Sequence, residues 1–174
     1  MVIFLVGFMG CGKSTVARGL AQLSGFGYVD LDNLICERAG AESVAEIFAT
    51  KGEEYFRRME REAIDNMTLE GEVIVATGGG APCYGDNMAR LMEVGTTVYL
   101  KMSPEALTER LQHVRVVRPK IVGKSPEELA EYVTTLLAER EKYYSLARVV
   151  VDCDGIPSKT IISRLKYLVK RSNV

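Results

Sequence analysis

Short apolar runs recur along the chain, and longer segments with helical spacing of apolar residues separate them. The first run is continuous rather than alternating, which is typical of a strand covered on both faces in a parallel sheet. Five runs are candidate strands: residues 2–6, 28–29, 73–76, 97–100 and 149–151. Because strands and helices alternate, the pattern predicts an α/β fold with right-handed crossovers.

Two helix starts carry capping residues. Ser103 precedes a proline at a first helical position, and Ser125 is followed three residues later by Glu128, as in a capping box. The second helix then places apolar residues on one core-facing stripe, at Leu129, Val133, Leu136 and Leu137. Arg140 shares that face, and because an inward guanidinium needs an anionic partner, it is a candidate anion-binding residue.

The clearest chemical motif is the segment 7–15, Gly-Phe-Met-Gly-Cys-Gly-Lys-Ser-Thr, which follows the first predicted strand. It matches the phosphate-binding loop Gly-x-x-x-x-Gly-Lys-Ser/Thr. In such a loop, backbone N–H groups and the positive end of the next helix face the phosphates. Lys13 is expected to reach the β- and γ-phosphates, and the Ser14 hydroxyl to bind Mg²⁺, so the motif predicts a nucleoside triphosphate site.

Composition and charge narrow the class of protein. The 174 residues, 47% of them hydrophobic, suffice for one domain with a substantial core. Twenty-two basic against 23 acidic residues give a formal net charge of −1, so no overall basic field favours nucleic acid or an anionic membrane as a partner. Four widely spaced cysteines without a Cys-x-x-Cys pair, and an N-terminal apolar run too short for a signal peptide, favour a cytoplasmic protein.

Two regions compete for the Mg²⁺ ion. Residues 149–152 imitate an apolar strand followed by a metal-positioning aspartate, and 152–155 match one GTPase motif, but no Asn-Lys-x-Asp segment accompanies it. Asp30 and Asp32 come one strand after the phosphate-binding loop, where alternate residues can direct two carboxylates to the same side. We expect Mg²⁺ near Asp30 and a substrate hydroxyl at Asp32, with a helix-capping pair as the alternative.

A glycine triplet and a second arginine complete the candidates. Residues 78–80 are three glycines after the third predicted strand, and they either let a ligand approach backbone N–H groups or form a flexible turn. Arg57 lies one helical turn from Glu53 and from Glu60. It therefore either binds an anion or forms an exposed intrahelical ion pair.

In combination and in order, these motifs resemble the shikimate kinase family. The segments that carry the resemblance are the loop at 7–15, Asp30-x-Asp32, Gly52-Glu53 with Phe56-Arg57 and Glu60, the glycines 78–80, Arg118-Pro119, and Glu139-Arg140 before Tyr143-Tyr144. The resemblance implies a three-layer α/β/α sandwich of the P-loop NTPase fold, with a five-stranded parallel sheet in the order 2-3-1-4-5. It also implies a single domain over 1–174, with a shikimate-binding helical region near 31–62 and a lid near 112–125.

The activity implied by the resemblance is phosphorylation of the 3-hydroxyl of shikimate by ATP, giving shikimate 3-phosphate and ADP in aromatic amino-acid biosynthesis. The implied catalytic residues are Lys13, Asp32 and Arg118, and the implied ligands of one Mg²⁺ ion are Ser14 and Asp30. The implied shikimate-binding residues are Asp32, Arg57, Gly78, Gly79, Gly80 and Arg140, with Glu60 orienting Arg57. The implied ATP-binding residues are Gly10, Cys11, Gly12, Lys13, Ser14, Thr15, Arg110, Arg118 and Pro157.

The lid departs from the family pattern, in which leucines commonly follow the Arg-Pro pair. Here Lys120 and Ile121 follow it, and Arg115 lies nearby, so both Arg115 and Arg118 are candidates for the lid arginine. One alternative interpretation is a P-loop kinase for gluconate or a nucleoside monophosphate, which would not need both Asp32 and the arginine pair. Another is an ATP-binding regulatory module without catalysis. The expected protein is a monomer whose partners are ATP, ADP and shikimate.

Overall fold

The computed structural model describes residues 1–67, 71–113 and 121–169. Its strands are β1 (Val2–Val6), β2 (Gly27–Asp30), β3 (Val73–Ala76), β4 (Thr96–Lys101) and β5 (Val149–Asp152). They form one sheet in the order β2-β3-β1-β4-β5, and every neighbouring pair is parallel. The predicted fold class and strand order are confirmed.

Helices connect the strands as the capping residues predict. In the described part of the chain the α-helices are α1 (Lys13–Ser24), α2 (Leu31–Ala39), α3 (Val44–Lys51), α4 (Glu53–Asp65), α5 (Asn87–Val94), α6 (Pro104–Gln112), α7 (Pro126–Tyr144) and α8 (Ser158–Leu165). Short 3₁₀ helices span Ala81–Cys83 and Lys166–Val169. Ser103 caps α6, and Ser125 with Glu128 forms the capping box of α7.

The core lies around the three central strands. All residues of β1 and β3 are buried, as are the middle residues of β4. The edge strands β2 and β5 are only partly covered, which explains why their apolar runs are the shortest in the sequence. Within residues 1–67, 71–113 and 121–169, no helix has both the length and the apolar character that crossing a membrane requires.

The sheet also determines where a site can form. In a parallel sheet all strands end at the same edge, and ligands bind in the crevice beyond those ends. Asp30 at the end of β2 is in register with Ala76 of β3, which is in turn in register with Leu5 of β1. The segments that follow these three strands, which carry Asp32, the glycines and the phosphate-binding loop, therefore emerge side by side.

Candidate active site

The phosphate-binding loop holds the ammonium group of Lys13. Lys13 Nζ donates to the carbonyl oxygens of Gly7 at 2.8 Å and Phe8 at 2.9 Å, and only 8% of the residue is exposed. Gly10 and Gly12 have φ angles of +84° and +98°, a region that favours glycine. Gly12 is the N-cap of α1, so the loop ends at the positive end of that helix, where anions bind.

Ser14 and Asp30 form a pair of oxygen donors beside this loop. The Ser14 hydroxyl donates to Asp30 Oδ2 at 3.1 Å, and Asp30 Oδ1 accepts the N–H of Asn33 at 3.3 Å. Asp30 is thus also the N-cap of α2, so the capping alternative holds for this residue alongside its position in the site. Hydroxyl and carboxylate oxygens fit Mg²⁺, which usually completes its coordination with water and substrate phosphates. The described residues contain no cluster of three or more His, Cys, Asp or Glu side chains that would hold a metal without such help.

Asp32 lies in the first turn of α2, close to the glycine triplet. A Cβ atom at Gly78 would lie 2.6 Å from Asp32 Oδ1, and one at Gly79 would lie 3.3 Å from the backbone nitrogen of Met9. No glycine of the triplet has a positive φ. Close approach of neighbouring groups, rather than an unusual backbone angle, therefore accounts for glycine at these positions.

Two guanidinium groups converge on the last glycine of the triplet. Nη2 of Arg57, on α4, and Nη2 of Arg140, on α7, lie 3.4 and 3.6 Å from the point where a Cβ of Gly80 would be. Arg57 also pairs with Glu53 at 3.2 Å and with Glu60 at 3.0 Å, so the intrahelical ion pairs considered as an alternative are present too. Within the described part of the chain, Arg140 has no carboxylate partner at ion-pair distance.

Glu60 holds Arg57 from the protein interior. Only 1% of the Glu60 side chain is exposed, and burial raises its pKa despite the opposing effect of Arg57. Asn87 donates to Glu60 Oε2 at 3.4 Å and to the carbonyl oxygen of Ala81 at 3.0 Å. Burial alone would lower the pKa of Arg57, but Glu60 and Glu53 outweigh it and the pKa is raised. Arg57 therefore stays charged, with its orientation set by Glu60.

Two adjoining cavities meet at Asp32. The larger, of about 780 Å³, is lined by the phosphate-binding loop, Thr15 included, and by Asp30. The smaller, of about 210 Å³, is lined by Arg57, Arg140 and the rings of Phe48 and Phe56. The residues that line both are Met9, Asp32, Val44, Gly78 and Gly79.

A third cavity lies on the other side of the phosphate-binding loop. It has a volume of about 460 Å³ and is lined by Arg110 and Gly155, among others. Arg110 Nη1 lies 3.5 and 3.4 Å from the carbonyl oxygens of Gly10 and Cys11, which places this side chain against the loop. Pro157, two residues after Gly155, is the N-cap of α8.

The remaining predicted residues divide into two groups. Cys11 is buried in the loop and is not part of a disulfide, and its Sγ accepts a hydrogen bond from Lys13 Nζ at 3.8 Å. Arg118 and Arg115 lie in the segment 114–120, outside the described residues, together with half of the predicted lid.

Sequence reasoning missed two buried residues that support the site. Tyr144 donates its hydroxyl to the Gly79 carbonyl oxygen at 2.5 Å, and Asn87 anchors Glu60. The available signal was helical spacing. Tyr144 follows Arg140 by four residues, and Asn87 precedes the buried Leu91 by four, so each polar group lies on an inward face.

A parallel sheet in this order, with a phosphate-binding loop after β1 and a cavity for an acceptor next to it, defines a P-loop kinase. Two solved kinases share this fold at 18% identity and a TM-score of 0.60, a sugar kinase from Janibacter and a gluconokinase from Sinorhizobium meliloti. At that identity they show the fold alone. More similar proteins define the family.

The chain belongs to the shikimate kinase family, whose model matches residues 9–169. It is 43% identical over 152 residues to a shikimate kinase from Parabacteroides distasonis, covering 87% of each chain. The crystal structure of shikimate kinase from Bacteroides thetaiotaomicron superposes with a TM-score of 0.89 at 34% identity, over 97% of this chain and 98% of that one. Shikimate kinase from Acinetobacter baumannii, in complex with shikimate, gives a TM-score of 0.82 at 30% identity, over 97% and 92%. The protein is therefore a kinase enzyme.

Proposed function

We propose that this enzyme transfers the γ-phosphoryl group of ATP to the 3-hydroxyl of shikimate, forming shikimate 3-phosphate and ADP. The observation that carries the proposal is the position of Asp32, which lines both the cavity of the phosphate-binding loop and the cavity of the two arginines. A phosphoryl donor in the first cavity and a carboxylate-bearing alcohol in the second would meet at this side chain. The A. baumannii relative, solved in complex with shikimate, supports shikimate as the acceptor.

On the acceptor side, Asp32 binds the 3-hydroxyl and takes its proton. The hydroxyl oxygen forms a bond to the γ-phosphorus while the bond between that phosphorus and the bridging oxygen breaks, and ADP leaves with the electron pair. Arg57 and Arg140 bind the substrate carboxylate, because guanidinium groups match a planar carboxylate with paired N–H donors. The backbone of residues 78–80 lies beside the ring. Alignment of this kind supplies much of the rate enhancement in phosphoryl transfer.

On the donor side, Lys13 binds the β- and γ-phosphates, which replace the loop carbonyls as partners of its ammonium group. Arg118 acts on the transferring phosphoryl group from the lid near 112–125, and Arg110 and the loop at Pro157 flank the adenine. Lid closure excludes water and so limits hydrolysis of ATP. The region near 31–62 serves as the shikimate-binding part of one domain over 1–174.

One Mg²⁺ ion accompanies ATP in this proposal, with Ser14 and Asp30 as the residues that would hold it, Asp30 through water. When bound, the ion neutralises charge on the phosphates. The hydroxyl and carboxylate that lie 3.1 Å apart beside the loop support this assignment. A monomeric state and a cytoplasmic location stay predictions.

The direct test is a coupled assay of ADP release with three acceptors: shikimate, gluconate and a nucleoside monophosphate. We expect ADP release that depends on shikimate and little with the other two. Folded protein that binds ATP but shows no turnover with shikimate would contradict the proposal. Turnover with gluconate or the nucleotide would support the sibling kinase instead, and shikimate binding without turnover would indicate a regulatory module.

A variant of Asp32 tests the assignment of the general base. Asp32→Asn keeps the size of the side chain but removes its basicity, so we expect kcat to fall by about 10³-fold. The dissociation constant of ATP should stay within about twofold of wild type, since Asp32 is assigned to the acceptor. Asp30→Asn is the matched control, because it alters the carboxylate assigned to Mg²⁺ and should weaken binding of the Mg²⁺–ATP complex. If Asp32→Asn weakened ATP binding as much, Asp32 would belong to the metal site.

A further inference from the structure

A buried tyrosine at the end of α7 contacts the acceptor site from inside the protein, and the proposed chemistry does not use it. Tyr144 is fully buried, and its hydroxyl donates to the carbonyl oxygen of Gly79 at 2.5 Å. Its ring packs against Tyr99 of β4, with ring centroids 5.2 Å apart. Burial raises the pKa of Tyr144, so the phenol keeps its proton and remains a donor at physiological pH.

The Gly79 carbonyl and the Gly80 N–H belong to one peptide group. That peptide is trans, so the two groups point in opposite directions. Because the hydrogen bond turns the carbonyl toward Tyr144, it turns the Gly80 N–H away from Tyr144. Gly79 and Gly80 both line the smaller cavity, and the two guanidinium groups converge at Gly80.

The hydrogen bond from Tyr144 adds an anchor from outside the turn to the backbone bonds that the turn makes within itself, from Ala81 N–H to Gly78 and from Cys83 N–H to Gly80. Three consecutive glycines have more backbone freedom in the unfolded chain than three residues of any other type, so ordering them costs more conformational entropy. Neighbouring groups also leave little room, since a Cβ at Gly79 would lie 3.3 Å from the Met9 nitrogen and 3.5 Å from Arg140 Nη1. The glycine turn therefore lies directly against both the phosphate-binding loop and the arginine.

We infer that Tyr144 is a positioning residue whose hydroxyl fixes the peptide between Gly79 and Gly80, so that the Gly80 N–H joins Arg57 and Arg140 in binding the carboxylate of the acceptor. An ionised carboxylate has about four acceptor positions, which one guanidinium with two donors, the other with a single donor and one backbone N–H would fill. The inference rests on the proposed function, because it concerns the same acceptor.

The variant Tyr144→Phe removes only the hydroxyl and keeps the ring. We expect the KM for shikimate to rise about tenfold, with kcat within about threefold of wild type, because a contact made equally in the ground and transition states affects KM alone. The KM for ATP should stay within about twofold. An unchanged KM for shikimate, or an equal rise in both KM values, would overturn the inference.

Tyr99→Phe is the matched control. Tyr99 belongs to the same buried ring pair, and its hydroxyl donates to Glu141 Oε2 at 2.5 Å rather than to the glycine turn. We expect it to lower the melting temperature while the KM for shikimate stays within about twofold of wild type, as expected of a residue outside the site. If both variants raised that KM equally, general loosening of the ring pair would explain the effect and positioning by Tyr144 would be excluded.

Two further measurements separate this inference from the proposed function. Wild type without shikimate-dependent turnover would refute the proposed function, whereas active wild type with an unaltered Tyr144→Phe variant would refute only the role of Tyr144. The second measurement follows the backbone amide of Gly80 by NMR in the wild-type protein during a titration with shikimate, and so does not depend on any variant folding. A shift of that amide is expected, and an amide that does not respond would overturn the inference.

Discussion

The donor half and the acceptor half of this site are built in different ways. The phosphate-binding part of the donor half is one continuous segment, 7–15, between β1 and α1, and it acts largely through its backbone. Asp30, Arg110, Arg118 and the loop at Pro157 are proposed to join it from elsewhere in the chain. The acceptor half draws Asp32 from α2, Arg57 from α4, Arg140 from α7 and a glycine turn from the segment after β3. A local pattern of glycines therefore suffices for the proposed phosphate site, whereas the proposed carboxylate site needs distant elements to pack together.

The two halves also handle charge differently. Lys13 rests on two loop carbonyls that phosphates would replace, so the donor half places no anion of its own beside its cation. In the acceptor half, a buried Glu60 and the exposed Glu53 already pair with Arg57, while Arg140 has no carboxylate partner in the described residues. Of the two acceptor arginines, Arg140 thus carries the positive charge that no described carboxylate balances, whereas Arg57 is paired with two carboxylates.

The largest expected effect comes from breaking the donor half. Lys13→Met removes the ammonium group that is proposed to bind the β- and γ-phosphates, so kcat with shikimate should fall by about 10³-fold. If the halves are built independently, the dissociation constant of shikimate should stay within about threefold, since distant sites act additively. Calorimetry without nucleotide measures that constant. A large loss of shikimate affinity would show that the loop also shapes the acceptor cavity, for example through Met9.

The same difference explains what the sequence could predict. The loop, β1 and the central strands could be predicted from the sequence, because an apolar run or a glycine motif can be recognised from a few neighbouring residues. That Asp30 and Asp32 lie close to the phosphate-binding loop could also be predicted, since parallel strands end at one edge of the sheet. Strand order and the pairing of Arg57 with Arg140 depended on resemblance to a family, because nothing local relates α4 to α7.

Other features were beyond sequence reasoning for physical reasons. Gly78 and Gly79 were expected to give a ligand access to the backbone, but the structure shows that neighbouring protein groups also occupy the space of their missing side chains. The hydrogen bond from Tyr144 to Gly79 joins residues 65 positions apart, and neither residue type indicates it. For Arg57 the sequence offered anion binding or an exposed intrahelical ion pair, and the structure shows a largely buried ion pair with Glu60 in a side chain that also lines the smaller cavity.

An intermediate effect is expected from the acceptor arginine that has no carboxylate partner within residues 1–67, 71–113 and 121–169. Arg140→Lys keeps the charge but loses the paired donors, so the KM for shikimate should rise about 30-fold while the KM for ATP changes by less than about twofold. Lys142→Gln removes the charge of an exposed neighbour on α7 and so shows how much this KM depends on positive charge that does not contact the substrate. A comparable rise in KM for Lys142→Gln would mean that long-range attraction, and not contact with the carboxylate, determines affinity.

The smallest effect concerns the buried charge of the acceptor half, and it is a change of stability with pH. Burial raises the pKa of Glu60 above its ordinary value of 4.5, although Arg57 opposes this. The folded protein therefore binds this proton more tightly than the unfolded chain does. The contribution of Glu60 to stability is complete below the unfolded pKa and is lost as pH rises through the folded pKa.

Glu60→Gln removes this titration while keeping an oxygen that can accept from Arg57. The free energy of unfolding of the variant relative to wild type should therefore increase as pH rises from about 4.5 to about 7, the window above the unfolded pKa. Denaturant unfolding at both ends of that window measures it, provided that both proteins are folded at the acidic end. Glu53→Gln is the control, because it removes the exposed partner of the same arginine and should change stability by less than about 1 kcal/mol. If the difference in unfolding free energy instead fell as pH rises, Arg57 would lower the pKa of Glu60 more than burial raises it. The acceptor half would then stabilise Glu60 as a buried anion.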